Sequence, residues 1–301
     1  MTRSRGGITD KGDEALKRLG LFLLSVVAFG WTAHLPATAT RPTTRPAGNF
    51  TIASYNINYG NVNLKEVVET IQKSDAVLVC LQETNRQSEI HLRRSLSRKY
   101  RYIYFRADRW AGGFGILSKS PIKNVRYLPK KYGYFGTLLF RTRLGGKEVQ
   151  LANIHLHPTI PRQGENLTEL LELLSKTETI RIREIEYIYD NLIKTLPTVL
   201  VGDFNSPPYM TVPDFLAKRG FVDSFTAATP NANSHVTWRR RHRDVEWKFR
   251  LDYIFHNKHF RTVAGRIIKS DASDHYLVNS TLTWAPRSTT KPTTKPSATR
   301  H

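Results

Sequence analysis

The chain has 301 residues, 40% hydrophobic and 11% aromatic, enough to bury a substantial core in one large domain or two small ones. Its 46 basic and 25 acidic residues give a formal charge of +21; residues 1–48 and 286–301 contribute +4 each, so +13 stays in the middle and the basicity is not a tail effect. That field favours polyanions such as nucleic acid, anionic lipid or phosphorylated small molecules, although it also serves plain solubility. The single cysteine, Cys80, excludes an intramolecular disulfide, and its apolar run AVLVCL reads as the setting of a buried structural thiol.

Residues 1–20 carry several Lys and Arg, Leu21 to Leu35 are mostly apolar, and Ala37-Thr38-Ala39 offers a small-residue cleavage pattern. That layout predicts a secretory signal peptide over 1–39 and an exported protein: secreted, periplasmic or cell-surface. Gly30, Thr32 and His34 make the stretch short and polar for a membrane span, and an uncleaved anchor is the alternative. A Pro/Thr linker over 40–48 and a basic Thr/Pro/Lys tail over 286–301 lack the apolar content to pack. The folded unit is therefore expected over 49–285, without internal repeats.

Within it, FTIASYNI reads as a strand. A helix follows with Leu64, Val67, Val68 and Ile71 on one face, Asn63 as its cap and Glu66 at the third helical position. AVLVCLQ reads as a strand buried on both faces, residues 86–98 as a polar helix, and YIYF and GFGILS as further strands. Residues 138–143 and 148–154 flank Gly145-Gly146, a good hairpin turn. A long helix over 166–194 carries a buried stripe of Leu170, Leu171, Leu174, Ile185, Ile188 and Leu192; TVLVG, RLDYIF and YLVNSTLTW complete the strands. Hairpins alongside crossover helices predict an α/β fold of the α+β type, with mixed sheets and outer helices.

Polar residues recur where these apolar runs end: Asn56, Glu83, His155, Asp203, Asn205, Asp252, Asp274 and His275. Glu83 directly follows a buried strand, where a carboxylate needs a partner, and Mg²⁺ is a natural one. In GDFN, Gly202 permits a tight exit from the strand, so Asp203 and Asn205 can point the same way across Phe204. An Asp there can orient or deprotonate water, and an Asn amide can donate to a phosphoryl oxygen. The same residues also make ordinary turns. His155 and His157 alternate along one strand and share a face; His155 suits a phosphate-facing donor and His157 a neighbour. Asp252 can hydrogen-bond His275, fixing its tautomer and raising its basicity.

The ordered set SYNIN, LQET, NIHLH, GDFNSPP, RLDYIF and SDHYLV resembles the endonuclease/exonuclease/phosphatase superfamily over essentially residues 50–284. The resemblance implies a four-layer sandwich of two mixed β-sheets flanked by helices, a site at one end, Mg²⁺ or Mn²⁺, and hydrolysis of a phosphoester. It implies Asn56 and Glu83 at the metal with Glu83 the principal ligand, Asp203 positioning or activating water, and Asn205 binding the scissile phosphate. His155 would stabilise phosphate charge or assist the leaving group, Asp252 would orient His275, and Asp274 would approach the metal directly or through water. Many relatives have an acidic residue where this chain has His157, which puts a second metal position in doubt.

Arg239, Arg240, Arg241, Arg243 and Arg250 stand just before Asp252 in TWRRRHRDVEWKFRLDYIF, with Trp238 and Trp247 among them. Arginine forks bind phosphate oxygens and tryptophan stacks on bases, so a nuclease acting on nucleic acid as a monomer, with no protein partner, is the expectation. A lipid or inositol phosphoesterase resembling sphingomyelinases, an anionic membrane surface as partner, and a catalytically silent basic binding module are the alternatives.

Overall fold

The computed structural model describes residues 48–160, 167–242 and 245–286. The expected signal peptide, the expected linker but for its last residue, Arg243, and the tail from 287 onward lie outside the described residues. One six-stranded sheet holds β1 (Phe50–Asn56), β2 (Leu78–Gln82), β3 (Tyr102–Arg106), β4 (Phe114–Ser118), β13 (Phe260–Ile268) and β14 (Leu277–Trp284), in the order β13-β14-β1-β2-β4-β3. The other holds β5 (Lys123–Leu128), β6 (Thr137–Leu144), β7 (Lys147–His155), β8 (Thr198–Asp203), β9 (Val222–Asp223) and β12 (Asp252–His256), in the order β5-β6-β7-β8-β12-β9. Only β1–β2 and β7–β8 run parallel; every other pairing in these sheets is antiparallel.

The strand period of two sorts each central strand between two cores. Ile52, Leu78, Cys80, Phe114 and Ile116 of the first sheet meet Leu138, Phe140, Leu151, Val201 and Ile254 of the second in the inter-sheet core. The alternate residues Ala53, Tyr55, Val79 and Leu81 pack under α1 (Leu64–Ser74) and α2 (Arg86–Leu96). Likewise Ala152, Ile154, Leu200 and Phe255 pack under α3 (Leu167–Asp190) and α4 (Thr211–Lys218). The result is the expected four-layer sandwich: helices, mixed sheet, mixed sheet, helices. Asn63 caps α1 by accepting from the Glu66 N–H at 3.4 Å, and Gly145 and Gly146 turn the β6–β7 hairpin at φ 55° and 83°. No helix among the described residues is long and apolar enough to cross a membrane.

Several elements lie outside those expected from the sequence, among them the edge strands β5 and β9 of the second sheet. The arginine-rich segment before Asp252 is a two-stranded hairpin, β10 (Trp238–His242) with β11 (Val245–Phe249). The short helices α4 and α5 (Ser224–Ala228) and the edge strand β13, which carries a bulge between Thr262 and Ala264, are others.

Candidate active site

The topology gathers the strand-end residues. Parallel β1 and β2 end at the same edge, which brings Asn56 and Glu83 together. Parallel β7 and β8 end side by side with His155 in register with Asp203, and antiparallel β12 begins at that edge with Asp252 opposite Asp203. Because β14 runs antiparallel to β1, the Asp274–His275 pair that precedes it arrives at the same end of the sandwich. Gly202 permits the close β7–β8 approach: at φ 152°, a Cβ there would stand 1.9 Å from the Ile154 carbonyl oxygen.

Asn56, fully buried, bridges two carboxylates with one amide: its Nδ2 donates to Glu83 Oε1 at 2.9 Å and Asp203 Oδ2 at 3.1 Å. Its Oδ1 accepts the Asn58 N–H, so it faces the protein and holds Glu83 in place. Glu83 is partly open, its Oε2 accepting only the Tyr59 N–H at 3.0 Å. Asp274 receives Asn58 Nδ2 on one oxygen and Trp238 Nε1 on the other, at 2.9 and 3.1 Å. His275 Nδ1 lies 2.9 Å from Asp252 Oδ2, and its Nε2 lies 3.7 Å from Asp203 Oδ2. A cleft of about 710 Å³ opens over Glu83, His155, Asp203, Asn205, Asp274 and His275.

Charge follows from this geometry. Burial opposes a positive His275, but Asp252 and Asp203 outweigh it and hold the imidazole charged well above its ordinary range. Burial pushes His155 down to about 3, and the positive His275 adds to that. His155 Nε2 is 3.6 Å from Asp203 and 3.8 Å from Glu83, too long for hydrogen bonds, so His155 is a neutral imidazole beside them rather than an ion-pair partner. Its ring stacks on Phe135 at 4.1 Å and 16°. Burial, opposed by His275, raises the Asp203 carboxyl from the ordinary Asp range toward neutrality.

Three expectations need correction. Arg250 is buried, not displayed: its guanidinium pairs with Asp223 at 2.7 Å and reaches Thr226 and Asn233, tying α5 to the start of β12. Arg239 is paired with Asp271 and lies over the Tyr276 ring, while Arg240 lines the cleft and Arg241 is exposed across the hairpin from Glu246. Asn205 donates its amide to Leu156 O at 2.9 Å and Asp203 Oδ2 at 3.3 Å, while its backbone N–H donates to Asp203 Oδ1. Both amide hydrogens are thus engaged, which makes Asn205 a holder of Asp203 rather than a free phosphate donor. His157 is a neighbour as expected; its backbone N–H donates to Glu184 and its ring packs on Tyr134.

Sequence reasoning passed over Asn58, Trp110, Phe135 and a buried ion pair behind the site. Fully buried Arg181 donates Nε to Glu178 at 2.8 Å and its other nitrogens to His157 O, Thr159 Oγ and Leu174 O. Glu178 in turn accepts the Ser206 hydroxyl and the Val212 N–H, both at 2.8 Å. Helix α3 thereby ties the segment after His155 to the segment after Asp203. A signal was available: residues 174, 178, 181, 185, 188 and 192 form one helical stripe, apolar but for Glu178 and Arg181.

The Endonuclease/Exonuclease/phosphatase family model matches residues 53–275. The chain belongs to this family. Its members are phosphoester hydrolases that depend on divalent metal. A search of curated proteins gives no match. Among solved structures, truncated Caenorhabditis elegans TDP2 is similar at 17% identity and TM-score 0.59, covering 78% of this chain and 98% of that one. Staphylococcus aureus beta toxin is similar at 19% and 0.59, covering 77% and 99%, and a Beutenbergia cavernae endonuclease/exonuclease/phosphatase at 17% and 0.58, covering 79% and 72%. At these identities the likeness is one of fold.

The family's metal can be tested against the donors present. Asp203, Asp252 and His275 offer ligand atoms within 4.8 Å of one another. That trio already neutralises itself in part, since a charged imidazolium sits between its two carboxylates and repels a cation. The oxygen donors of Glu83 and Asp274 fit better: they face the cleft, lie outside the imidazolium pair and suit a hard divalent ion.

Proposed function

We propose that the chain is a Mg²⁺- or Mn²⁺-dependent phosphodiesterase that cleaves nucleic acid by water attack. The observation that carries the chemistry is His275, held charged by Asp252 and aimed with its other nitrogen toward Asp203. Glu83 would hold the metal, with Asn56 bracing it and Asp274 near it; the ion would supply electrostatic stabilisation of the phosphoryl oxygens.

Asp203, kept basic by burial and oriented by Asn56 and Asn205, accepts a proton from the water as its oxygen bonds to phosphorus. The phosphorus–oxygen bond to the leaving group breaks, the departing alkoxide takes a proton from solvent water, and Asp203 returns its own to solvent, giving a phosphomonoester and an alcohol. The His275 imidazolium donates a charge-assisted hydrogen bond to a non-bridging oxygen, where negative charge is greatest. Neutral His155, stacked on Phe135, completes the wall on the phosphate side.

Nucleic acid is favoured over lipid by the +13 charge of the folded unit and by cleft cations free of carboxylate partners. Danio rerio TDP2, of similar fold, has been solved with a single strand DNA product. The signal-like N-terminus supports export. The test uses the full chain on single-stranded DNA, RNA, sphingomyelin vesicles and inositol phosphates, with Mg²⁺ or Mn²⁺ and then chelator. Cleavage of a polynucleotide, abolished by chelator and by Asp203→Ala, is expected. Turnover of lipid or inositol phosphate alone would refute the substrate; full activity of Asp203→Ala would refute the mechanism.

A further inference from the structure

Trp110 is unlike any other aromatic residue at the cleft. Its side chain is 79% exposed, and among the described residues its indole makes no ring contact, cation–π contact or hydrogen bond. Its backbone is left-handed at φ 50°, a conformation that a bulky side chain rarely adopts. An exposed apolar ring on a strained backbone is disfavoured twice over in a free protein.

The loop that carries it is nevertheless firmly held. On one side Asp108 accepts the Tyr127 hydroxyl at 2.9 Å and the Arg109 N–H at 2.7 Å. On the other, Thr84 donates its N–H to Gly113 O at 3.1 Å, and a Cβ on Gly113 would stand 1.8 Å from the Thr84 carbonyl oxygen. Thr84 directly follows Glu83, so the turn Trp110–Gly112 is clamped beside the proposed metal residue. Trp110 thus stands on a firmly held turn at the mouth of the cleft, with its indole face open.

The surroundings define what the plate accepts. Arg109, Lys130 and Arg240 line the same cleft, and none of them has an ion-pair partner among the described residues. Trp238 and Phe249 of the hairpin line the cleft too, already stacked on each other at 6.0 Å and 12°. A planar group next to a phosphate is complementary to an indole face with free cations around it. We propose that Trp110 is a stacking platform for a nucleobase adjoining the scissile phosphate, with Arg109, Lys130 and Arg240 receiving the flanking phosphates of a single strand. Duplex bases already stack on each other, so an unpaired base is the occupant. This rests on the nucleic-acid reading above and makes Trp238 and Trp247 wall residues rather than platforms.

The experiment compares the full-length wild type with Trp110→Ala and Trp110→Phe on two single-stranded oligonucleotides of equal length, one natural and one abasic at every position flanking the cleavage site. Trp110→Ala is expected to lower kcat/KM on the natural strand about 5- to 100-fold, mainly through KM, and to leave the abasic strand within about twofold. Trp110→Phe should recover most of the loss. An equal loss on both strands, or no loss on either, overturns the platform while leaving the nuclease reading intact. A wild type that cleaves neither strand overturns both. Binding of wild type but not Trp110→Ala to phosphatidylglycerol vesicles, with cleavage of the natural strand unchanged, would replace the base with a membrane surface.

Discussion

Replacing Arg181 by Met tests whether the site is held in place from behind. The guanidinium is fully buried and makes four hydrogen bonds: to Glu178 at 2.8 Å, Thr159 Oγ at 3.0 Å, and the His157 and Leu174 carbonyls at 3.1 Å. Met fills similar volume but leaves Glu178 as a buried carboxylate without its cation. Breaking a buried pair from one side costs about 3–5 kcal/mol, most of it the unpaired charge. Adding Glu178→Gln removes that charge while its side-chain oxygen can still accept from Ser206 and Val212. The double variant should therefore recover about 2 kcal/mol or more of the loss, a coupling read from urea unfolding midpoints at constant slope. In conditions where all forms are folded, Arg181→Met should lower kcat more than it raises KM, because the segments after His155 and Asp203 lose a common anchor. A stability change under about 1 kcal/mol, or strictly additive single effects, would refute the argument.

Other predictions follow from the same geometry. Asp252→Asn should lower kcat about 10²- to 10⁴-fold and shift the basic limb of the pH profile downward, since it removes the largest source of the charge on His275; an unmoved limb would show that His275 does not titrate in the reaction. Mg²⁺ or Mn²⁺ should raise the melting temperature of the wild type but not of Glu83→Gln, a binding readout independent of turnover; equal stabilisation of both would move the metal elsewhere. Burial raises Glu184 to about 8, against the smaller opposing effects of its His157 N–H bond and Arg181. The folded form therefore holds a proton that the unfolded chain releases near its ordinary value of about 4.3. Stability from this group is complete below that value and is lost as pH rises to about 8. Glu184→Gln should flatten the fall in unfolding free energy between pH 5 and 9, measured at matched pH values, and an unchanged slope would sink the assignment. Gly202→Ala should prevent stable folding, since its Cβ meets backbone that cannot retreat; a soluble variant with a wild-type melting temperature would contradict the close β7–β8 approach.

Much of this was legible in the sequence because local chemistry and global fold agree there. Asn63 and Glu66 announce the start of α1, Gly145-Gly146 the β6–β7 hairpin, and the apolar run around Cys80 the double burial of β2. Catalytic candidates were legible because topology delivers strand ends to one edge, so residues that close apolar runs converge. What escaped depends on distant partners. Nothing local to Arg250 reveals Asp223, 27 residues away, and a run of arginines therefore looked like a display of charge. The hairpin Trp238–Phe249 was hidden by that same run, although Val245, Trp247 and Phe249 alternate with charged residues as a strand should. Strand β13 mixes exposed and half-buried residues and bulges, so neither period stands out.

Backbone strain adds an independent pointer to the same place. Seven residues other than glycine have positive φ among those described: Asn58, Asp75, Glu83, Trp110, Asn124, Asn205 and Asn231. Asp75 and Asn231 sit at helix ends, and Asn124 lies where the β5–β6 register shifts, which are ordinary locations. The other four all line the cleft. Asn tolerates this conformation, but Glu and Trp do so at a cost of about 1–3 kcal/mol each, sustained only where surrounding contacts fix the turn. Those contacts exist: the Asn56 amide and Tyr59 N–H grip Glu83, and Asp108 and Gly113 pin the turn of Trp110. At Glu83 the left-handed step comes directly after β2, and the carboxylate there meets Asn56 and the cleft. On the proposed function, strain at Glu83 holds the carboxylate that would meet the metal, and strain at Trp110 holds the turn whose ring would meet the base.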